Sequence, residues 1–238
     1  PPWRCGKSAM LTWFGMTSAS PRRLDARFSD EDADLVADPI EDPKEQVRPE
    51  TLYFSYVGGA GSEEDEETWK DFVEHLTEAI GIDVELKSFE TAQQQLAALG
   101  TSDLHVTVFN TGAVPSAVAS FGFIPVCTLG KEDGSFGTTM RVIVPAKSPI
   151  KTVKDLKDHS IAFTTRDSNS GCKAALALFR EFGMLPLRDY LWKFSGSHDA
   201  SIKGVAEGYY KAAPEASDLL DAALAAGEVQ SSDFRTLY

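Results

Sequence analysis

The sequence is poor in the residues that build metal centres and disulfide scaffolds. It contains three cysteines and four histidines in 238 residues. Cys5, Cys127 and Cys172 are far apart, and their spacing fits neither a zinc site nor a small disulfide scaffold. No two histidines form an HxxxH or HxH pair. These features argue against a metallohydrolase, and the sequence predicts no cofactor.

Long apolar runs and an excess of positive charge are also missing. No apolar run approaches the roughly 18 residues that cross a bilayer, so we expect no stable membrane insertion. Asp and Glu outnumber Lys and Arg by 36 to 23, for a net charge of −13. This balance disfavours nucleic acid as a partner, because phosphate backbones need basic surfaces. A small anionic ligand remains compatible, since neutral N–H and O–H donors hold an anion locally.

The first 50 residues are predicted to form an acidic, largely irregular leader rich in Pro, Ser and carboxylates. The chain begins with Pro and shows no secretion signal, so we expect that any such signal has been removed or was never included. Cys5 offers the alternative of a lipid anchor. Alternate carboxylates later in the leader fit positions 1, 3, 5, 9 and 12 of an EF-hand-like calcium loop. They are Asp30, Asp32, Asp34, Asp38 and Glu41. Leu35 stands where such a loop needs glycine, so a solvated acidic linker is favoured over a metal site.

Strands and helices are predicted to alternate from residue 51 onwards, which indicates mainly parallel sheets flanked by helices. We assign residues 51–140 to a first α/β lobe and 141–228 to a second, with 229–238 returning towards the first. Two of the predicted strands cover residues 123–129, with Cys127 as a buried small side chain, and 209–213. Pro214 is then expected in a turn that leads into a helix over 215–226. Ligands of such sheets bind at the carboxyl ends of the strands.

The most informative segment joins a predicted strand at 160–164 to a predicted helix at 172–182. The turn between them, TRDSNSG, ends at Gly171 and is rich in hydroxyl and amide side chains. Such a turn presents the unpaired N–H groups of a helix start to a bound anion, although Ser and Asn are also ordinary helix caps. The turn lacks the Gly-Lys-Ser/Thr sequence of a nucleotide P-loop.

Similar polar turns follow two other predicted strands, at Gly196-Ser197-His198 and at Asn110-Thr111-Gly112. We therefore predict one oxyanion site in a cleft between the lobes. Its predicted donors are Thr111, Gly112, Thr165, Ser168, Asn169, Ser170, Gly171, Ser197, His198 and Ser201. Asp199 or Asp218 is expected to accept a hydrogen bond from a protonated ligand oxygen. Tyr56 is predicted to form an aromatic wall of the site.

Two other functions are compatible with the same residues. In a Cys/His hydrolase, Cys172 would be the nucleophile and His198 the base, with Asp199 or Asp218 orienting the histidine. In a calcium-dependent binding module, the acidic leader would carry the function.

An ordered series of motifs resembles one transport family. The motifs are LHVTVFNTG (104–112), EDGSFG (132–137), TVKDLK (152–157), AFTTRDSNSG (162–171) and FSGSHDASIKGVA (194–206). Together they resemble the phosphate, phosphite and phosphonate-binding (PhnD-like) proteins of ABC transporters, over residues 30–238. TVKDLK alone is shared with many solute-binding proteins.

The resemblance implies a type II periplasmic-binding fold, in which two lobes close on a phosphorus oxyanion without catalysis. It implies a monomer outside the cytoplasm that delivers its ligand to an inner-membrane ABC permease. It places ligand contacts at Ser168-Asn169-Ser170, His198 and Asn110-Thr111-Gly112, and also at Tyr56 and Asp218. Cys172 and Pro214 depart from the family pattern. Family members continue beyond residue 238, so we expect this chain to be a fragment.

Overall fold

The computed structural model of the chain describes residues 24–56 and 63–238. It divides into two compact units, Pro1–Val126 and Cys127–Tyr238. Among the described residues, the first unit has one sheet and the second has two, and each unit has its own apolar core. In the described part of the chain, none of the helices is long and apolar enough to cross a membrane.

The first unit is built on a parallel three-stranded sheet. Its strands are β1 (Thr51–Ser55), β2 (Asp83–Leu86) and β3 (Val106–Thr107), with β1 in the centre. The inward residues of β1 pack against α1 (Glu63–Ile80), which presents an apolar stripe at helical spacing. Two shorter helices follow β2 and β3, namely α2 (Ala92–Gly100) and α3 (Val114–Phe121). This unit has the parallel βα order that the sequence predicts.

The second unit combines antiparallel and parallel strands. The central strand β4 (Met140–Pro145) pairs antiparallel with β7 (Ala213–Ala216) and β8 (Phe234–Thr236), while β5 (Ser160–Phe163) pairs parallel with β6 (Leu191–Phe194). The helices are α4 (Ala174–Glu181), α5 (His198–Ala206) and α6 (Ser217–Ala225), with short 3₁₀ turns at Val153–Leu156 and Ser231–Asp233. The apolar core joins β4, β5, α5, β7 and α6. These contacts hold the amino-terminal end of α5 beside β7.

The strand predicted at residues 123–129 is wrong. No strand forms there, and the segment runs as irregular chain up to a single bridge between Gly130 and Phe136. Pro125 lies in the middle of this segment and has no N–H to donate to a sheet. Val126 is 86% exposed, and Cys127 is exposed rather than buried. The apolar composition of the segment therefore does not reflect burial.

The strand predicted at residues 209–213 is displaced towards the carboxyl end of the chain. Residues 209–211 form a bend, and β7 spans Ala213–Ala216, so Pro214 lies inside the strand instead of in a turn. β7 is an edge strand of its sheet, where a residue without an N–H is tolerated. As a result Glu215 belongs to a strand and is fully buried, although the sequence predicts it at the start of a helix.

Candidate anion-binding site

The turn after β5 continues directly into a helix through a π-helical turn at Asn169–Lys173. Lys173 N donates to Ser168 O (3.1 Å), and Ala174 N donates to Asn169 O, so the turn is wider than an α-helical one. The Ser168 hydroxyl caps this start by accepting a bond of 3.0 Å from Gly171 N. The first amide groups of a helix have no acceptor within the helix, and they lie at the positive end of its dipole. The segment that was predicted as a polar turn is thus already helical from Asn169.

The second helix start brings an imidazole to the same place. The Ser197 hydroxyl caps α5 by accepting from Ala200 N (3.1 Å), which makes His198 the first residue of the helix. The Nε2 atom of His198 lies 3.5 Å from Ser168 Oγ and 3.5 Å from Ser170 Oγ. The side chain is 17% exposed. Two hydroxyls, one ring nitrogen and a helix start therefore converge, and all of them belong to the second unit.

The other ring nitrogen of His198 is hydrogen-bonded to a residue that the sequence analysis missed. Nδ1 is hydrogen-bonded to Oε2 of Glu215 on β7. Burial raises the pKa of Glu215 to about 7, although its hydrogen bonds with His198 and Ser201 act in the opposite direction. Its second oxygen, Oε1, is buried without a hydrogen-bond partner among the described residues. A glutamate between small apolar residues, in APEA, was the signal that could have indicated a buried carboxyl.

The two aspartates that were predicted to orient His198 have other partners. Asp199 forms an exposed ion pair with Lys203, one helical turn away on α5 (2.7 Å). Asp218 accepts from Thr138 Oγ1 (2.7 Å) and lines a separate open pocket of about 360 Å³. That pocket is lined by Lys131, Phe136, Gly137, Thr138, Thr139, Ser217, Asp218 and Asp221. The carboxyl that contacts His198 is Glu215, so the prediction that Asp199 or Asp218 orients this histidine was wrong. That Asp218 contacts the ligand stays a prediction.

Cys172 has the wrong environment for a nucleophile. The residue belongs to the π-helical turn and is fully buried on its inner side. Burial raises the pKa of its thiol to about 12. Because thiolate is the reactive form, this thiol is inert near neutral pH. The geometry therefore gives no support to a Cys/His hydrolase.

The remaining residues of the second unit that were predicted to contact the ligand lie around the point where His198 Nε2 meets the hydroxyls of Ser168 and Ser170. Thr165 and Asn169 are exposed in the turn and at its helical start, and Ser197 is exposed at the cap of α5. Ser201 is buried behind His198 and shares a hydrogen bond of 2.6 Å with Ser195. Their roles as ligand contacts stay predictions.

The predicted contacts of the first unit lie at the ends of β1 and β3. Asn110 caps the turn before α3, since its Oδ1 accepts from Ala113 N (2.9 Å), with Thr111 exposed and Gly112 buried after it. Tyr56 is buried with its ring stacked on Trp69, the two centroids being 5.3 Å apart. Contacts between these residues and a ligand stay predictions.

The acidic loop of the leader brings together three of its five predicted calcium ligands. One ligand atom each from Asp30, Asp32 and Asp34 lies within 4.8 Å of the others. Asp38 instead accepts from Ser29 Oγ and Glu31 N within the loop, and Glu41 is exposed. Asp32 and Asp34 also accept backbone N–H groups of this loop. The carboxylates therefore have a structural use, and calcium binding stays a prediction.

Comparison with known proteins agrees with this fold. The model of a protein family described as "ABC transporter, phosphonate, periplasmic substrate-binding protein" matches residues 54–238. No curated protein matches the sequence. The solved structures that are similar in fold include three at 13–17% identity.

The first of these structures is a binding protein component of an ABC phosphonate transporter from Pseudomonas aeruginosa, with 13% identity and a TM-score of 0.60. PhnD1 from Prochlorococcus marinus, in complex with methylphosphonate, has 17% identity and a TM-score of 0.63. XAC2383 from Xanthomonas citri, bound to ATP, has 16% identity and a TM-score of 0.67.

The matches cover 79%, 80% and 80% of this chain and 64%, 72% and 72% of the three neighbours, in that order. The chain therefore spans about two thirds of the length of these proteins. At such low identity they establish the fold alone, and they confirm the predicted α/β periplasmic-binding class.

Proposed function

Because the chain belongs to the family of periplasmic substrate-binding proteins of phosphonate ABC transporters, we propose that it captures a phosphorus oxyanion outside the cytoplasm. The proposed ligand is a phosphonate, phosphite or phosphate, and the proposed recipient is an inner-membrane ABC permease. The proposed role is binding and release, with no chemical change in the ligand.

The proposal rests on one observation, the convergence of His198 Nε2 with the hydroxyls of Ser168 and Ser170. A tetrahedral oxyanion has several oxygens that accept hydrogen bonds at once, and this point offers hydroxyl, imidazole and helix-start N–H groups. Each hydrogen bond to a charged group contributes roughly 1.5–3 kcal/mol. About four such bonds are enough to offset the cost of binding and reach micromolar affinity.

The first unit is expected to complete the ligand's contacts. The polar turn Asn110-Thr111-Gly112 follows a parallel strand of that unit, and the residue after β1 is Tyr56. We propose that these groups bind the ligand when the protein closes, so that the ligand shifts the population towards a closed form that the permease recognises. Phosphonate specificity would then depend on both units.

Isothermal titration of the purified chain tests the proposal. The ligands are methylphosphonate, 2-aminoethylphosphonate, phosphite and phosphate, and we expect micromolar binding of at least one. His198→Ala and Ser170→Ala should each weaken that binding tenfold or more by removing a donor, roughly 1.4 kcal/mol. The matched control is His75→Ala, an exposed histidine on α1, which should bind like the original chain.

Two results would contradict the proposal. One is the failure of a folded chain to bind any of the four ligands. The other is binding that neither substitution weakens. Phosphorus NMR of the same mixtures checks the absence of catalysis, since the ligand should be recovered unchanged after long incubation.

A further inference from the structure

Glu215 is a buried acid that the proposed contacts with the ligand do not use. It is fully buried on β7, and the strand packs against the π-helical turn on one side and α5 on another. Oε2 contacts His198 Nδ1, and the backbone N–H of Ala216 also approaches that nitrogen, at 3.4 Å. The opposite edge of the imidazole faces the two serine hydroxyls. The ring therefore connects a buried carboxyl to the candidate site.

We propose that Glu215 is a positioning residue that shares a proton with His198 and thereby couples capture of the oxyanion to the protonation of this pair. The inference rests on the proposed function, because it assigns a role to Glu215 in that same site.

Counting protons shows how the coupling works. When the pair holds two protons, one lies between Nδ1 and Oε2 and the other is on Nε2. This is true both for a neutral imidazole with a neutral carboxyl and for an imidazolium with a carboxylate. Nε2 is then a hydrogen-bond donor. When the pair holds one proton, the carboxylate draws it to Nδ1, and Nε2 turns a lone pair towards the hydroxyls. The site has then lost one donor and gained one negative charge.

The environment of Glu215 favours the two-proton state up to about neutral pH. Oε1 is buried without a partner in the described part of the chain, so an ionised carboxylate would leave a charged oxygen unsolvated. Burial accordingly raises the pKa of this carboxyl to about 7. Loss of the Glu215 proton takes the pair from two protons to one.

Charged groups on the neighbouring elements are mostly engaged elsewhere. Arg141 of β4 lies opposite Glu215 in the ladder but donates to Asp221 of α6, at 2.6 and 3.1 Å. Lys203 of α5 pairs with Asp199 and with Glu228. The charged or titratable groups on the elements packed against β7 are Arg141, Lys173, Cys172, His198, Asp199, Lys203, Asp218 and Asp221. Of these, His198 alone lowers the pKa of Glu215.

Proton linkage predicts how affinity depends on pH. Above the pKa of the pair, the binding-competent fraction falls by about tenfold per pH unit, and the apparent affinity falls with it. A ligand that carries its own P–OH group partly compensates, because that hydroxyl donates to the lone pair on Nε2. The ligand's ionisation must therefore be separated from that of the protein.

The decisive experiment compares the original chain with Glu215→Gln across pH 6 to 9, using methylphosphonate and isothermal titration. The dissociation constant of the original chain is divided by that of Glu215→Gln at each pH. The ionisation of the ligand affects both constants equally and therefore cancels in this ratio. We expect this ratio to rise by about tenfold per pH unit above pH 7, because glutamine at this position does not ionise. Glu207→Gln, an exposed change at the end of α5, is the matched control and should give a constant ratio.

A ratio that stays constant with pH would overturn the inference while leaving oxyanion binding intact, since a purely structural role acts equally at every pH. Absence of binding at pH 6 in a folded chain would refute the binding function itself, and the inference with it. A second measurement does not depend on the variant or on a ligand. Nitrogen-15 NMR of the His198 ring should show Nε2 protonated at pH 6 and unprotonated at pH 9, and an unchanged Nε2 would also overturn the inference.

Discussion

Gly171 shows how one missing side chain shapes the candidate site. Its N–H donates to Ser168 Oγ, and its carbonyl accepts from Thr164 N, so the π-helical turn lies directly against the end of β5. A Cβ at this position would lie 2.1 Å from Thr164 Oγ1 and 2.5 Å from Thr164 Cγ2. The close approach, rather than an unusual backbone angle, therefore requires glycine here.

Substitution of this residue tests that packing. Gly171→Ala should lower the free energy of unfolding by about 1–3 kcal/mol and weaken oxyanion binding, because the turn must move away from β5. Adding Thr164→Ala should restore part of both losses, since it removes the two atoms nearest to the new methyl group. Urea denaturation and titration with methylphosphonate measure the two effects. Gly130→Ala, where the nearest atom would be 3.5 Å away, should be close to neutral; equal losses at both positions would contradict the packing explanation.

At the scale of secondary-structure elements, the two helix starts of the site were predictable from local sequence. Ser, Asn and Gly after a β-type run indicate a capped helix start, and caps are formed there by Ser168 and Ser197. The convergence of the two starts follows from the parallel pairing of β5 with β6, which brings the ends of both strands to one edge. Local pattern and sheet geometry together were sufficient for this part of the site.

The strand β7 was not predictable in the same way. Pro214 reads as a break in a strand, and the acidic residues after it read as the first turn of a helix. In the folded chain the pairing of β4 with β7 overrides both signals, because it buries Ala213 and Ala216 in the core. Glu215 is placed behind His198 by this non-local pairing alone.

The cap of α5 provides a test at the same scale. Ser197→Ala should cost about 1 kcal/mol of the free energy of unfolding, because the N–H of Ala200 loses its acceptor. Ser197→Asn should retain most of the stability, since asparagine is an equally good cap. The expected effect on oxyanion binding is weaker affinity for the alanine variant, because His198 is the first residue of the helix. Thermal and urea unfolding would contradict this role if both variants lost the same stability.

For the whole molecule, the excess of acidic residues constrains how an anion is held. A chain of net charge −13 offers an anion no general attraction. The proposed binding would therefore depend on local, largely uncharged donors at the helix starts, and on the proton that Glu215 and His198 are proposed to share. The same buried acid also links folding to pH, because its pKa differs between the folded and unfolded chain.

The sign of this linkage gives a prediction for stability. Folding raises the pKa of Glu215 from 4.5 to about 7, so the folded chain binds the proton more tightly than the unfolded chain. The contribution of this group to stability is fully present below pH 4.5 and is lost as the pH rises towards 7. The original chain should therefore lose melting temperature relative to Glu215→Gln between pH 4.5 and 7.5. If the melting temperatures of the two proteins instead change with pH by the same amount over this range, the buried carboxyl is not titrating.

The irregular segment around Cys127 has a practical consequence. Its thiol is exposed where the second unit begins, whereas the thiol of Cys172 is fully buried with a pKa of about 12. Once Cys5 has been replaced by serine, a maleimide fluorophore will attach at Cys127 and leave the interior untouched. The chain thus carries a natural labelling point at the sequence boundary between its two units, without an engineered cysteine.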